Sequence, residues 1–187
     1  MSPRGRKPDP SVDLKIREAA ASLIFTKGFD FTMDEVAETA GVGRASVFRR
    51  YATRRDLLLD ALGSMLIANV PVPDTGSFRG DLTSIVVDTL AMWHTPGLDR
   101  MAKQSFAEAG RDPAVAEVIR TGMQVQRQQS WAVFERAIER GELAPDADLW
   151  LLADLLVGLV TYRGMLDLPM PEPEAIVEAL LSGFAVR

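Results

Sequence analysis

The chain of 187 residues contains no cysteine and only one histidine. The missing thiols exclude disulfides, cysteine nucleophiles and cysteine-bound zinc. The sequence also has no glycine-rich phosphate loop and no Gly-x-Ser-x-Gly turn, so nothing in it supports nucleophilic or metal catalysis. We therefore expect neither an enzyme nor a bound metal or cofactor.

Long apolar runs are missing as well. The amino-terminal MSPRGRKPDP lacks the apolar stretch of a signal peptide. The most apolar run, residues 149–162, is too short to span a bilayer and carries Asp154. Hydrophobic residues make up 47% and charged residues 25%, which is the balance of an ordinary folded protein. We expect a cytoplasmic, nucleoid-associated protein with no membrane partner.

Charge is unevenly distributed along the chain. Residues 1–55 contain eleven Lys and Arg against seven Asp and Glu, whereas residues 56–187 contain ten against nineteen. Five of the arginines lie between Arg44 and Arg55. This pattern favours a polyanion that only the basic part meets, although such clusters also occur on solvated helix faces. We predict a DNA-binding head of residues 1–55 and a regulatory body of residues 56–187.

The head has the pattern of three helices. Apolar residues recur at helical spacing over 14–25, and Gly28 ends this first helix. Thr32 and Glu35 have the spacing of a capping box that opens a second helix. Gly41 then supplies a tight turn before a short third helix. Two short helices joined by a glycine turn, behind a supporting helix, predict a helix-turn-helix.

The third helix has the composition of a recognition helix. Val47 and Tyr51 are four residues apart and are predicted to face the core. Arginine can bind guanine bidentately in the major groove, and small side chains between arginines allow close approach to the bases. The residues left to solvent or to a ligand are Arg44, Ala45, Ser46, Phe48, Arg49 and Arg50.

Residues 32–58, TMDEVAETAGVGRASVFRRYATRRDLL, resemble the DNA-binding signature of the tetracycline-repressor (TetR) family of bacterial transcription regulators. The body resembles the regulatory domains of that family in PDTGSFRGDL (73–82) and RGELAPDAD (140–148). The resemblance implies an all-α fold of about nine helices, in which a three-helix head precedes a larger ligand-binding and dimerisation domain. It implies base contacts for Arg44, Ala45 and Arg49. It implies phosphate contacts for Thr32, Ser46, Phe48, Arg50, Thr53 and Arg54.

Two positions depart from the family pattern. Phe48 stands where the family usually has a tyrosine that bonds a phosphate, so we expect its ring to pack on sugar or methyl groups. Arg55 stands where the family usually has an acidic residue, and the helix dipole opposes a cation there unless an anion is close. We expect a DNA phosphate to be that anion. Arg6 and Lys7 lie in a proline-rich arm, which either contacts the DNA backbone or minor groove or is a solubilising tail.

The body is predicted as helices at 78–94, 97–109, 112–141, 146–167 and 172–185. The helix at 146–167 is apolar nearly all round, so one face must meet its own core and another a partner. Together with the last helix it predicts a two-fold interface in a homodimer, which a palindromic operator requires. The predicted interface residues are Leu152, Leu156, Leu159, Val160, Ile176, Leu180 and Phe184.

A small-molecule site is predicted from aromatic and methionine residues on the body helices, where the family has its inducer pocket. Such stripes are also ordinary core. Arg163 lies in an apolar helix and needs either an acidic ligand or a carboxylate such as Asp167, and His94 is expected in a loop. The residues favour an apolar or aromatic effector. The candidates are Trp93, His94, Met101, Phe106, Met123, Arg127, Trp131, Tyr162 and Arg163.

The sequence thus predicts a dimeric repressor that an effector releases from its double-stranded DNA operator. The alternative is a dimeric DNA-binding protein without an inducer, constitutive or architectural. Activation in place of repression is a further possibility.

Overall fold

The computed structural model describes residues 10–67 and 71–184, without the side chain of Phe184. All regular structure in these residues is helical, which confirms the predicted all-α fold. No helix in this part of the chain is long and apolar enough to cross a membrane. The nine described helices are α1 (Pro10–Lys27), α2 (Met33–Thr39), α3 (Arg44–Phe48), α4 (Arg54–Leu66), α5 (Phe78–His94), α6 (Leu98–Ala109), α7 (Pro113–Glu139), α8 (Leu149–Met165) and α9 (Pro173–Phe184).

The helices form two compact units. The first unit holds the residues up to Leu66 and Arg100–Arg120, and the second holds Ile67–Asp99 and Thr121–Arg187. In the first unit, α1 packs against α2 and α4, and α2 packs against α3. In the second unit, α5 packs against α8 and α9, which also contact each other. The division at residue 55 concerns function, and it stays a prediction.

The core of the first unit follows from the helical spacing of its apolar residues. Ile16, Ala20 and Ile24 are four apart on α1 and are fully buried. Phe31, just before the start of α2, and Val36 within it are buried with them. This is the spacing of a hydrophobic staple, which fixes the direction in which α2 leaves the preceding turn.

In the second unit, the two stretches that carry the body's resemblance are bonded to each other. Asp81 is fully buried, and its Oδ1 accepts hydrogen bonds from the Thr75 amide at 2.7 Å and the Thr75 hydroxyl at 2.8 Å. Arg140 Nη2 lies 3.5 Å from Asp81 Oδ2 and 3.2 Å from Glu142 Oε2. Because a buried carboxylate needs such partners, these residues fix the start of α5 to the end of α7.

Local capping chemistry sets where α8 begins. The helix was predicted to start at residue 146 but starts at Leu149. Asp148 is its N-cap, and Oδ1 of that residue accepts a hydrogen bond from the Leu151 amide at 2.9 Å.

Candidate nucleic-acid interface

The helix-turn-helix depends on a capping box and a glycine turn. Thr32 Oγ1 accepts from the Glu35 amide at 3.2 Å, and Glu35 Oε2 accepts from the Thr32 amide at 2.8 Å, as predicted. The ion pair with Lys27 and the Thr32 amide lower the pKa of Glu35. Gly41 has a φ of 64°, in the left-handed region that favours glycine. These contacts fix the orientation in which α3 follows α2.

The outward face of α3 carries two arginines and an aromatic ring. Arg44, Ala45, Phe48 and Arg49 are exposed, whereas Val47 is fully buried. Residues four apart lie on the same side of a helix, so 44 lies beside 48 and 45 lies beside 49. The two pairs are adjacent in sequence and together form one exposed face. The three residues predicted at base edges are therefore together on one accessible surface. Their contact with DNA stays a prediction.

Side chains on and near α3 hold each of these arginines. Arg44 Nε lies 2.8 Å from Asp34 Oδ1 on α2, and the Arg44 guanidinium carbon lies 5.3 Å from the Phe48 ring centroid. Arg49 Nη2 donates to the half-buried Ser46 hydroxyl at 3.0 Å. The sequence did not single out Asp34. An acidic residue within a predicted DNA-binding surface was the available signal.

The expectation that Arg50 faces solvent is wrong. Its side chain is only 16% exposed and forms an ion pair with Asp13 on α1. Its Nη1 also donates to the Ser46 carbonyl at 3.2 Å. Arg50 therefore ties α3 to α1 in this structure, and its phosphate contact stays a prediction.

Thr53 and Arg54 lie at the start of α4. Thr53 Oγ1 accepts from the Asp56 amide at 3.1 Å, and Asp56 Oδ2 accepts from the Thr53 amide at 3.0 Å, which makes a second capping box. Arg54 Nη1 donates to the Phe29 carbonyl at 2.6 Å and lies 3.9 Å from Asp30 Oδ1. About half of the Arg54 side chain remains exposed, so its charge is accessible to a phosphate.

Arg55 has a different anion from the one expected. Its Nε and Nη2 donate to the two carboxylate oxygens of Asp112, each at 2.7 Å. This bidentate pair raises the pKa of Arg55. The same pair, together with the Ala114 amide, lowers the pKa of Asp112 to about 2. A protein carboxylate therefore offsets the helix dipole at Arg55, where we had expected a DNA phosphate.

Further side chains from residues 100–120 stabilise the first unit. Arg100 Nη2 donates to the Phe25 and Thr26 carbonyls, both at 2.8 Å, and so caps the end of α1. Gln104 Oε1 accepts from the Phe29 amide at 3.1 Å. Its amide group occupies the space that a Cβ would need at Gly28. The sequence missed these contacts because they join residues about 75 positions apart.

The predicted effector residues fall in both units. Met101 and Phe106 belong to the first unit, and the other candidates belong to the second. Trp93 is nearly buried, and its ring occupies the space that a Cβ would need at Gly164. Met123 is half-buried and Tyr162 is exposed. Arg163 Nε donates to the Pro169 carbonyl at 2.7 Å.

A cation and three aromatic rings form a cluster on α7 and α8. Arg127 pairs with Asp154 and lies 5.7 Å from the Trp150 ring centroid. Trp131 contacts Trp150 and Phe134, with ring centroids 4.9 Å and 5.9 Å away. Two of the candidate residues, Arg127 and Trp131, therefore already have protein partners. Their contact with an effector stays a prediction.

His94 is the last residue of α5 and not part of a loop as expected. Its Nδ1 is 2.9 Å from the Leu90 carbonyl. It borders an open groove of about 480 Å³ lined by Val87, Leu90, Ala91, His94, Met170, Pro171, Glu172 and Pro173. In the described part of the chain, no group of three or more histidine or acidic side chains is placed to hold a metal ion.

The dimer residues predicted on α8 and α9 are mostly core residues of their own chain, which corrects their assignment. Buried in this way are Leu152, Leu156, Val160, Ile176 and Leu180. The apolar face that α8 leaves exposed lies on its other side, and we name it the α8 stripe. It consists of Leu151, Leu155, Leu159 and Tyr162 on α8 and of Leu166 directly after the helix. Of the predicted interface residues, Leu159 lies on this exposed face, and its place in a dimer interface stays a prediction.

Three predicted contacts lie outside the described residues. Arg6 and Lys7 precede residue 10, and the side chain of Phe184 is not described. The DNA-binding arm and the part of Phe184 in an interface stay predictions.

Comparisons with known proteins agree with this architecture. Residues 16–61 match the family model described as bacterial regulatory proteins, tetR family, and residues 72–182 match the tetracyclin repressor-like C-terminal domain. The helix-turn-helix transcriptional regulator YdeS of Bacillus subtilis is 32% identical over 87% of this chain and 83% of its own. The crystal structure of the TetR family regulator SCO0332 superposes with a TM-score of 0.74 and 27% identity, covering 92% of this chain and 98% of that one.

A more distant structure shows the same fold. The multidrug binding protein EbrR, solved in complex with proflavin, has a TM-score of 0.60 and 19% identity, covering 91% of this chain and 98% of its own. Regulators of this kind are DNA-binding transcription factors and not enzymes, they bind small-molecule effectors, and homodimers are typical among them. The two matched domains and the 32% identity to YdeS together show that this chain belongs to the TetR family of transcriptional regulators.

Proposed function

We propose that the protein is a dimeric repressor that binds a palindromic operator and is released by a small apolar or aromatic effector. The observation that carries the DNA-binding half of the proposal is the exposed face of α3. Arg44 and Arg49 lie on it with the small Ala45 between them, while Val47 anchors the helix from behind. Such a face fits the major groove, where arginine reads guanine and alanine permits close approach.

The α8 stripe supports the dimer. Its residues 151, 155, 159, 162 and 166 are spaced as one face of a helix, and all are at least a third exposed. A contiguous apolar face of this kind is costly in water and marks a protein interface. Gly158 on α8 has open space beyond it, and Ala175 and Ala179 on α9 are exposed. These small residues permit the close approach of a partner's helices in a two-fold contact.

Trp93 supports an effector site in the second unit. Its indole N–H is buried and has no hydrogen-bond partner among the described residues. A buried donor without an acceptor is destabilising, so a hydrogen bond from this N–H to an acceptor atom on an effector would be favourable. The complex of EbrR with proflavin shows that this fold holds an aromatic ligand in at least that protein.

The alternative is a constitutive or architectural DNA-binding protein without an inducer. An effector-controlled repressor and a protein without an inducer differ in one observable, because only the repressor loses DNA affinity when a small molecule binds. A screen of apolar and aromatic compounds against the protein–operator complex separates them.

The experiment that tests the function is selection of bound fragments from sheared genomic DNA at physiological salt, followed by sequencing. We expect a short palindrome. Arg49→Ala should lower operator affinity by about 1 to 3 kcal/mol and relax the preference at one base position. Arg120→Ala is the matched control, because Arg120 is an exposed arginine on α7 that pairs with Glu117. Binding without any enriched sequence would leave only the architectural alternative.

A further inference from the structure

Asp34 is an acidic side chain beside the surface that α3 exposes. It lies in the first turn of α2, and its Oδ1 is 2.8 Å from Arg44 Nε. A carboxylate at a DNA-binding surface repels phosphates and so weakens binding to every sequence. The helix dipole favours an acid in a first turn, but that role does not need an arginine beside it. Its position therefore calls for a second role.

The Arg44 guanidinium is held on two sides. Asp34 lies at its Nε edge, and the Phe48 ring is near enough for a cation–π contact, with 5.3 Å between guanidinium carbon and ring centroid. Phe48 follows Arg44 by four residues, so the ring lies one turn along the same face. Within the described residues, neither terminal Nη has a hydrogen-bond partner. These two nitrogens can donate together to O6 and N7 of a guanine.

We propose that Asp34 is a positioning residue for base recognition, which holds Arg44 with its two terminal nitrogens directed away from the protein and toward one guanine. A free arginine loses rotamer freedom when it binds, and one held in advance loses less. A held guanidinium also tolerates a wrong base less well, because it cannot rotate to find another acceptor. The inference rests on the proposed function, in which α3 reads bases.

The same arrangement gives Phe48 a purpose that does not need a phosphate. A tyrosine at this position would offer a hydroxyl as well as a ring. The ring alone provides the surface against which the guanidinium lies. Phe48→Tyr should therefore keep the base preference, whereas Phe48→Leu should weaken it.

The test measures binding of the full-length protein to its selected operator, to operators with one base pair changed at a time, and to unrelated DNA. The variants are Asp34→Asn and Arg44→Ala. Asp30→Asn is the matched control, since Asp30 is an exposed carboxylate of the same unit and lies 3.9 Å from Arg54. Asparagine has nearly the shape of aspartate, and thermal melting confirms that each variant is folded.

We expect Asp34→Asn to bind unrelated DNA more tightly, because one negative charge is lost, and to lose about tenfold in discrimination at a single base pair. That base pair should be the one at which Arg44→Ala loses its preference. Asp30→Asn should bind all DNA more tightly and keep its discrimination.

Two results would overturn the inference while leaving the proposed function intact. The first is an equal change in affinity for all sequences in Asp34→Asn, which would make Asp34 an ordinary surface charge. The second is a loss of discrimination at a base pair that Arg44→Ala does not affect. A wild-type protein without sequence preference would instead refute the proposed function, and the inference with it.

Discussion

Leu155 and Leu156 are neighbours on α8, but the same substitution should affect association at Leu155 and folding at Leu156. Leu155 belongs to the α8 stripe and is 47% exposed, whereas Leu156 is 4% exposed in the core of its own unit. If the α8 stripe forms the proposed dimer interface, we expect Leu155→Glu to separate the two chains and leave each of them folded. Leu156→Glu should unfold the second unit.

The magnitudes follow from the burial of each side chain. Full burial of a leucine contributes about 1.5 to 3 kcal/mol. Leu156→Glu loses nearly all of this and also buries a carboxylate without a partner, so the total approaches the whole stability of a small domain, about 5 to 15 kcal/mol. In the proposed dimer, burial of the exposed half of Leu155 contributes about 1 kcal/mol to association, and two-fold symmetry doubles this contribution. With desolvation of two carboxylates, Leu155→Glu should cost about 4 kcal/mol, or roughly a thousandfold in dimer affinity.

The assay is sedimentation over a range of protein concentrations, with circular dichroism melting to follow the fold. Leu14→Glu is the matched control, because Leu14 is 53% exposed on α1 and lies outside the α8 stripe. We expect this variant to remain a dimer with normal melting. If Leu155→Glu sedimented as the wild-type dimer does, the α8 stripe would not be the interface.

Three further substitutions test local packing and charge. Gly164→Ala places a methyl group where the Trp93 ring lies and should lower the free energy of unfolding by about 1 to 3 kcal/mol. Gly63→Ala, with its nearest neighbour at 3.7 Å, should raise it by about 0.5 to 1 kcal/mol. Urea unfolding measures the free energy of unfolding of both variants, and equal values for Gly164→Ala and Gly63→Ala would contradict the packing argument. The pKa of Asp112 is lowered to about 2. The ionised Asp112 therefore contributes fully to the free energy of unfolding above its ordinary pKa near 4, and this contribution is lost as pH falls toward 2. Asp112→Asn keeps the helix cap but loses the charge. The difference in free energy of unfolding between wild type and this variant should therefore narrow below about pH 4. A difference that stays unchanged down to about pH 3 would exclude the ion pair with Arg55 as its cause.

The beginnings of several helices could be predicted because capping is local chemistry. Thr32 and Glu35 are three residues apart, and Asp112 stands directly before a proline, so a few neighbouring residues contain the whole signal. Asp148 shows the same rule where we overlooked it. Its carboxylate caps α8, and the helix begins after it and not two residues before it.

The face of α8 that meets the core could not be predicted in the same way. This helix has apolar residues on all sides, so its sequence pattern does not distinguish the side that faces the core from the side that faces solvent. The choice depends on α5 and α9, which pack against α8 from elsewhere in the chain. We therefore predicted Leu152 and Leu156 for the dimer interface, although they are buried in the core, and did not predict Leu155, which is exposed.

Arg55 shows which part of an electrostatic argument a sequence can supply. The helix dipole requires an anion near this arginine, and that requirement was correct. The identity of the anion was wrong, because Asp112 lies 57 positions further along the chain. Arg50 was misjudged for the same reason, since its partner Asp13 lies on α1. Counting the clustered arginines therefore overstates the charge available to DNA. Arg54 donates to the neutral Phe29 carbonyl and is about half exposed, so among the arginines predicted at phosphates it is the one whose removal should most reduce the salt dependence of binding.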